Sequence, residues 1–185
     1  MSEPLDVLIR PETAVDHEQV AEVVTRAFGS PAEARLVDAI RMSDEYIAEL
    51  ALVAVVDDSD GARVVGHVMI SRCRLVDATS ESAIVMLSPL AVDPDHHGKG
   101  VGGRLVRTVA SLADERSEPL VVLEGDPRYY SRFGFEAASG HGIELPLPDW
   151  APGEAAQVLR LTHDDPNLRG RVIYPASFDV LGRTL

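Results

Sequence analysis

The residues best suited to chemistry lie in one stretch, residues 90–105, which reads LAVDPDHHGKGVGGRL. Four of its residues are glycines, at positions 98, 100, 102 and 103. Glycine lets successive backbone N–H groups turn toward one point and leaves no Cβ in the way of an approaching anion. An amphipathic pattern follows, and the N-terminus of a helix adds a favourable dipole potential. The stretch therefore predicts a binding site for a phosphate group.

The charges around these glycines agree with an anion site. The chain carries a formal net charge of −13, yet residues 96–113 contain no acid and include Lys99, Arg104 and Arg107. A basic run in so acidic a chain fits a phosphate-bearing ligand. The glycine pattern alone is also compatible with a tight turn that lets a helix pack closely.

Two other kinds of site are disfavoured by the residues that accompany the glycines. A nucleotide-binding P-loop needs Ser or Thr after its Gly-Lys pair, whereas Lys99 is followed by Gly100. A metal site at His96 and His97 is disfavoured because neighbouring side chains diverge and no carboxylate–His helix motif accompanies them. Cys73 is the only cysteine, so neither a disulfide nor a Cys/His zinc site is expected.

A dinucleotide-binding fingerprint stays open as a weaker interpretation. Gly98, Gly100 and Gly103 spell GxGxxG, and Glu124 lies near the position of a ribose-binding acid. That fold needs a strand that runs directly into the first glycine. Here the polar residues DPDHH separate Val92 from it.

The glycine stretch lies between a predicted strand and a predicted helix. Apolar residues at helical spacing predict a helix over residues 101–113, and β-branched runs predict strands before and after it, over 83–92 and 120–123. Further strands are predicted over 7–10, 50–56, 64–75 and 156–161, and helices over 13–28 and 32–41. Because hairpin-like links dominate, we expect one α/β (α+β) domain with a mostly antiparallel sheet flanked by helices.

The order of strand, LAVDPDHHGKGVGGRL, helix, short strand and YYSRFGFE resembles the GCN5-related N-acetyltransferase (GNAT) superfamily, in particular its YhbS-like group. The resemblance implies the acyl-CoA N-acyltransferase fold, with a central twisted sheet, and a single N-acetyltransferase domain over residues 1–185. Its sharpest motifs cover residues 83–138, and a C-terminal segment, residues 139–185, is implied to complete the sheet. It also implies acetyl-CoA as co-substrate and no metal.

The resemblance assigns the glycine stretch to the pyrophosphate of acetyl-CoA, held on backbone amides. Gly100 and Gly102 match the two small-residue positions of the superfamily motif, and His97 stands where Gln or Arg is usual. A backbone N–H near Leu90 is implied to hold the thioester carbonyl and to stabilise the oxyanion. The implied cofactor-binding set is completed by Ala91, Val92, Gly98, Lys99, Val101 and Gly103.

The later stretch GDPRYYSRFGFE resembles the second signature of this group. There a Tyr four residues before the Gly of the GF pair faces the cofactor sulfur, and that position is Tyr130 in this sequence. Its implied catalytic role is general acid to the departing CoA thiolate, since a phenol with a pKa near 10 is protonated at pH 7. Tyr129 is expected to pack as an aromatic platform instead.

The general base is left open by the sequence. An amine acceptor arrives protonated and must lose a proton before it attacks the thioester. The candidates for that step are a water molecule, Glu124, Asp126, Glu81 and His67. The acceptor is expected to be a primary amine of a small molecule or peptide.

Composition narrows the partners and the location. The net charge of −13 disfavours nucleic acid and anionic membranes as partners. No apolar run is long enough to span a membrane, and MSEPLDVLIRPE is acidic where a signal peptide is basic and then apolar, so we expect a cytoplasmic protein. Strand-rich edges and the Pro-rich segment are compatible with a homodimer, although no residue pattern determines the oligomeric state. The alternative to an enzyme is a non-catalytic acyl-CoA-binding sensor or scaffold with the same fold.

Overall fold

The computed structural model of the chain describes residues 6–59 and 61–182. The strands are β1 (Leu8–Pro11), β2 (Tyr46–Asp58), β3 (Gly61–Val76), β4 (Glu81–Val92), β5 (Leu120–Glu124), β6 (Glu136–Ala137), β7 (Ile143–Glu144), β8 (Ala156–Arg160) and β9 (Gly170–Ile173). The helices are α1 (His17–Phe28), α2 (Ala32–Arg41), α3 (Val101–Glu115) and the single turn α4 (Pro127–Tyr130). Short 3-10 turns connect several of them.

The described strands form one mixed sheet in the order β1-β2-β3-β4-β5-β8-β6, with β9 paired to β3 and β7 to β9. Among the strands that the structure describes, only the pairs β4–β5 and β7–β9 are parallel. The parallel β4–β5 pair is joined through α3, as a strand–helix–strand unit requires. The predicted fold class, a mostly antiparallel sheet flanked by helices, is confirmed.

The sheet separates two apolar cores, and the alternation along β2 shows how. Ala51, Val53 and Val55 face the core that contains α1 and α2, whereas Leu50 and Leu52 face the core that contains α3. Successive side chains of a strand point to opposite faces, so a strand covered on both sides is apolar at every position. Helices therefore pack on both faces of the sheet.

The structure corrects the predicted elements in several places. The helix predicted from residue 13 begins at His17, after a 3-10 turn at Ala14–Asp16. The Asp16 carboxylate accepts hydrogen bonds from the Thr13 backbone N–H at 2.8 Å and hydroxyl at 2.9 Å, which favours a turn there over helix. The short elements α4, β6 and β7 were not predicted, because two to four residues are too few to show a period.

A bulge in β4 determines where the sheet opens. Ser88 and Pro89 of β4 together oppose one residue of β3, Met69. An extra residue bends its strand. The parallel pairing of β4 with β5 ends just before the bulge, at the Met86–Val122 pair. The rest of β4 pairs with β3 alone, so β4 and β5 diverge and leave an open strand edge between them.

Candidate functional site

Two adjacent cavities lie at the place where β4 and β5 diverge. The first has a volume of about 680 Å³ and the second about 530 Å³. Phe28, Leu90 and Tyr129 line both of them, so the cavities meet at the open edge of β4. A single elongated ligand can therefore reach from one cavity into the other.

Glycines and the start of α3 form one wall of the first cavity. Gly98 and Gly100 have φ angles of +74° and +81°, a left-handed backbone that favours glycine. The Arg104 N–H donates to the Gly100 carbonyl at 3.1 Å, which is the first bond of α3. The N–H groups of residues 101–103 precede that bond and have no acceptor within the helix. They are the donors that an anion in this cavity would meet.

The other walls of the first cavity are basic and aromatic. The Arg107 guanidinium lies 5.0 Å from the centre of the Phe133 ring, and the Arg132 guanidinium lies 4.5 Å from the centre of the Tyr129 ring. His96 and His97 also line this cavity. No carboxylate is among its lining residues in the described part of the chain. The cavity therefore suits an anionic ligand with a planar group that can stack.

Most of the sequence-predicted cofactor residues line this first cavity. They are Leu90, Val92, His97, Gly98, Gly100, Val101, Gly102 and Gly103. The Ala91 side chain is buried in the core beside α1 and α2, and Lys99 is exposed and does not line the cavity. Arg104 also lies outside its lining and donates to the Val7 carbonyl at 2.7 Å. Of the three basic residues in the run, Arg107 alone lines the cavity.

His97 and Gly102 are held by specific contacts within this loop. The His97 Nε2–H group donates to the Val92 carbonyl at 2.9 Å and ties the loop to the end of β4. A Cβ on Gly102 would lie 2.5 Å from the Tyr129 hydroxyl oxygen. Only glycine at this position leaves room for Tyr129 beside the first turn of α3.

The second cavity is acidic and apolar. Glu33, Glu124 and Asp126 line it, and Ser88 and Pro89 of the bulge stand beside them. The apolar part of the lining comes from α1, α2, β4 and the 3-10 turn at Ala176–Leu181. Its side chains are Phe28, Leu36, Met86, Leu87, Phe178 and Leu181. No Lys, Arg or His of the described residues lines this cavity. Its charge is thus opposite to that of the first cavity.

Tyr130 lines the second cavity, on α4. Its ring packs edge-on against Tyr129 at 5.0 Å and Phe135 at 5.7 Å between centres. Burial and the neighbouring Tyr129 raise the pKa of Tyr130 well above its usual value of about 10. The phenol is therefore protonated at neutral pH and able to donate.

Two of the four side chains considered as a base line the second cavity. Glu124 ends β5 and accepts a hydrogen bond from the Tyr174 hydroxyl. Asp126 caps α4 by accepting from the Arg128 N–H at 2.9 Å, and the Arg128 guanidinium lowers the pKa of Asp126. Both residues line the same cavity as Leu90 of β4.

The other two base candidates lie outside both cavities. His67 is completely buried, its Nε2 is 3.1 Å from Glu12 Oε2, and burial lowers its pKa. Glu81 begins β4 and pairs with Arg74 at 3.1 Å. Among the described residues, no group of His, Cys, Asp or Glu side chains is arranged to hold a metal ion.

The sequence pattern did not predict Phe28, Glu33 or Arg132 as site residues. A signal for Glu33 was available, because Leu36 and Ile40 follow it at the i+3 and i+7 positions and are fully buried. That spacing places Glu33 on the apolar face of α2, where an acid is unusual. Phe28 and Arg132 carried no such signal, since their role depends on how distant elements pack.

Comparison with known proteins places this geometry in a family. Residues 8–138 match the family model described as the acetyltransferase (GNAT) domain. The chain is 36% identical to YhbS of Escherichia coli strain K12, named as an uncharacterized N-acetyltransferase, over 175 residues. The match covers 94% of this chain and 99% of that relative. A second relative, YjhQ of the same strain, is 34% identical over 72% of each chain.

Solved structures agree with the sequence relatives. The structure of YhbS from Escherichia coli in complex with CoA has a TM-score of 0.82 and 33% identity, covering 100% of this chain and 96% of that one. A GNAT family acetyltransferase from Brucella melitensis in complex with acetyl-CoA has a TM-score of 0.73 and 30% identity, covering 94% and 99%. The family model spans more than half of the chain, and the chain belongs to the GNAT acetyltransferase family.

Proposed function

We propose that the protein transfers the acetyl group of acetyl-CoA to a primary amine of a small molecule or peptide, by direct attack of the amine on the thioester. The observation that carries the proposal is the pair of cavities of opposite charge that meet at Leu90, next to Tyr130. The basic cavity suits the phosphates of CoA and the acidic one suits an amine. The thioester then lies at the junction.

The cofactor part of the proposal rests on the first cavity and on the relatives solved with CoA and acetyl-CoA. The N–H groups of residues 101–103 and the start of α3 bind the pyrophosphate. Arg107 and Arg132 add positive charge for the remaining phosphate and for stacking. The residues present therefore fit acetyl-CoA, which supplies the activated acetyl group.

The open edge of β4 supports the proposed position of the thioester. Past the bulge this strand pairs with β3 alone, so its other edge carries backbone N–H and C=O groups for the pantetheine arm, as an added strand would use them. The N–H near Leu90 donates to the thioester carbonyl. As the amine attacks, that donor stabilises the negative charge that develops on the oxygen.

Tyr130 completes the transfer. When the tetrahedral intermediate collapses, the C–S bond breaks and the electron pair leaves with the sulfur. The Tyr130 hydroxyl, kept protonated by its burial, donates to that sulfur. The attacking nitrogen gives up its proton to Glu124, to Asp126 or to a water molecule in the second cavity.

Turnover of a Tyr130→Phe variant tests this assignment. Release of CoA thiol is followed with acetyl-CoA and a broad panel of primary amines. We expect kcat to fall by about 10²- to 10⁴-fold, the usual contribution of a general acid, with little change in acetyl-CoA affinity. Tyr46→Phe is the matched control, since the Tyr46 hydroxyl bonds to Glu12 at 3.0 Å and lines neither cavity.

The second function to be weighed is an acyl-CoA-binding sensor or scaffold without catalysis. Saturable acetyl-CoA binding with equal, background turnover by the wild type and by Tyr130→Phe across the whole panel would favour it. Loss of turnover in Tyr130→Phe, with Tyr46→Phe unchanged, would favour the enzyme.

The location and assembly of the protein remain predictions as well. No helix within residues 6–59 and 61–182 is long and apolar enough to cross a membrane. A cytoplasmic location follows from the sequence argument and is checked by fractionation of cells. Light scattering on the purified protein decides between monomer and homodimer.

A further inference from the structure

We infer that Glu33 binds a second cationic group of the acceptor, so that the preferred acceptor is a diamine with an apolar body between its two nitrogens. The inference rests on the proposed function, because it names the acceptor class of that same site. Glu33 is then a residue that determines specificity, and the reacting nitrogen lies elsewhere, at the junction of the cavities.

Glu33 stands out because one of its carboxylate oxygens, Oε2, is buried without a partner. It lies in the first turn of α2 and lines the second cavity. Its Oε2 atom is shielded from solvent and has no hydrogen-bond partner in the described part of the chain. A buried carboxylate oxygen without a partner is costly, and a cationic ligand group would remove that cost. The atom is thus prepared for a donor that the chain itself does not supply.

The other acids of the cavity already have partners. Glu124 accepts a hydrogen bond from the Tyr174 hydroxyl, and Asp126 pairs with the Arg128 guanidinium at 2.9 Å. None of the described Lys, Arg or His residues lines the cavity to neutralise Glu33. Glu33 is therefore the acid best placed to pair with a ligand cation.

The space around Glu33 is apolar. Leu36 follows it on α2, and Phe28, Phe178 and Leu181 line the same cavity. These side chains suit the methylene chain or ring of an acceptor, whose burial contributes to affinity. An acceptor with cationic ends and an apolar middle matches both kinds of lining.

Glu33 is better suited to a second cation than to the reacting nitrogen. The attacking amine must be neutral, whereas a carboxylate next to an amine stabilises the protonated form of that amine. Glu33 is contributed by α2, but Leu90 and Tyr130 at the reacting end are contributed by β4 and α4. Two nitrogens on one acceptor satisfy both positions.

Steady-state kinetics with matched amines tests the inference. Straight-chain α,ω-diamines are compared with n-alkylamines of the same carbon number, with acetyl-CoA saturating. For the wild type we expect kcat/KM for the best diamine to exceed that of its monoamine by about 10- to 100-fold, mainly through KM, as one charge-assisted hydrogen bond to a buried group provides. Glu33→Gln should reduce the diamine to the level of the monoamine, with kcat nearly unchanged.

Two further variants serve as controls for the loss of charge at Glu33. Asp44→Asn removes one negative charge at an exposed position outside both cavities and should leave the diamine preference unchanged. Glu33→Asp keeps the charge and should retain part of the preference. A thermal melt of each variant shows whether it is folded.

Two outcomes would overturn the inference, and a third would separate it from the proposed function. A wild type that treats diamines no better than monoamines contradicts it, even if monoamines are acetylated and the proposed function stands. A Glu33→Gln variant that loses kcat equally for both kinds of amine points to a base instead. If no amine is acetylated, yet the CoA-loaded wild type binds diamines more tightly than Glu33→Gln does, the inference holds and the proposed function fails.

Discussion

The Tyr130 ring packs directly on the backbone of Gly125. A Cβ built on Gly125 would lie 2.8 Å from Cδ2 of the ring and closer still to Cε2. The Gly125 N–H donates to the carbonyl of Ala155, the residue directly before β8, at 2.9 Å, so this backbone is held in place. The position of the Tyr130 ring, the proposed acid, therefore depends on having glycine at residue 125, directly after β5.

Gly125→Ala should displace the Tyr130 ring and lower kcat. Gly125 does not have a positive φ angle, so alanine causes a steric conflict and no backbone strain. We expect kcat to fall by about 10- to 100-fold, the effect of a small misplacement of a catalytic group. Gly140→Ala is the control, since a Cβ at Gly140 meets nothing within 4 Å. Equal kcat values for both variants would contradict the assignment of Tyr130.

Gly102→Ala should weaken acetyl-CoA binding. The new Cβ would lie 2.5 Å from the Tyr129 hydroxyl oxygen, so either the ring or the start of α3 must shift. We expect Kd for acetyl-CoA to rise about 10-fold or more, since N–H donors of the first turn move with the helix. Adding Tyr129→Phe removes the clashing oxygen and should restore part of the affinity in a titration. No rescue in the double variant would show that the conflict lies elsewhere.

The glycine and strand pattern explains why much of the first cavity could be predicted from sequence. Residues 90–103 are contiguous, and the motif, the end of β4 and the start of α3 form one local unit. In the proposed function backbone amides bind the phosphates there, so the pattern of small residues carries most of the information. Lys99 could not be placed in this way, because the sequence shows its charge but not that its side chain lies outside the cavity.

The second cavity could not be predicted in the same way. Glu33 and Phe178 are far apart in the chain and meet because α2 packs against the 3-10 turn at Ala176–Leu181. His67 was a reasonable base by residue type, but its position in β3 turns it toward Glu12 and away from the open edge. Long-range packing determines which side chains line this cavity, and the local hydrophobic periodicity of the sequence does not predict that packing.

The pH dependence of the reaction should show no loss from ionisation of Tyr130 below pH 10. Burial raises the Tyr130 pKa, and a raised pKa keeps the acid protonated to higher pH. The amine acceptor meanwhile gains its reactive neutral form as pH rises toward about 10. We expect kcat/KM to increase from pH 7 to pH 9.5. A fall with an apparent pKa of about 8 to 9 that is absent in Tyr130→Phe would contradict this.

Glu12→Gln should destabilise the fold without affecting the cofactor site. Glu12 is buried and accepts hydrogen bonds from Arg41 at 2.7 and 2.9 Å. Burial opposes its ionisation, but hydrogen bonds from His67 and Arg41 outweigh that effect and lower its pKa. Removing the carboxylate leaves the buried Arg41 guanidinium with the exposed Asp38 carboxylate, 2.8 Å away, as its ion-pair partner, and the loss of the charge-assisted hydrogen bonds to Glu12 should cost about 1–3 kcal/mol.

Urea unfolding at pH 7 measures the loss of unfolding free energy in Glu12→Gln. The control is Glu18→Gln, a change at an exposed position, whose unfolding free energy should lie within about 0.5 kcal/mol of the wild-type value. Because the pKa of Glu12 is lowered by folding, its contribution is present above the unfolded pKa of about 4.3 and is lost as pH falls below that value. The difference between wild type and Glu12→Gln should therefore shrink at low pH. A difference that grows on acidification would contradict the assignment.

Calorimetric titration of the purified protein with acetyl-CoA is the most direct test of the proposed function, because it needs no knowledge of the acceptor. CoA and NAD serve as the comparison ligands, and a thermal melt shows that the sample is folded. We expect saturable binding of acetyl-CoA and CoA at one site per chain and no response to NAD. Absence of acetyl-CoA binding in a folded sample, or saturable binding of NAD instead, would contradict it.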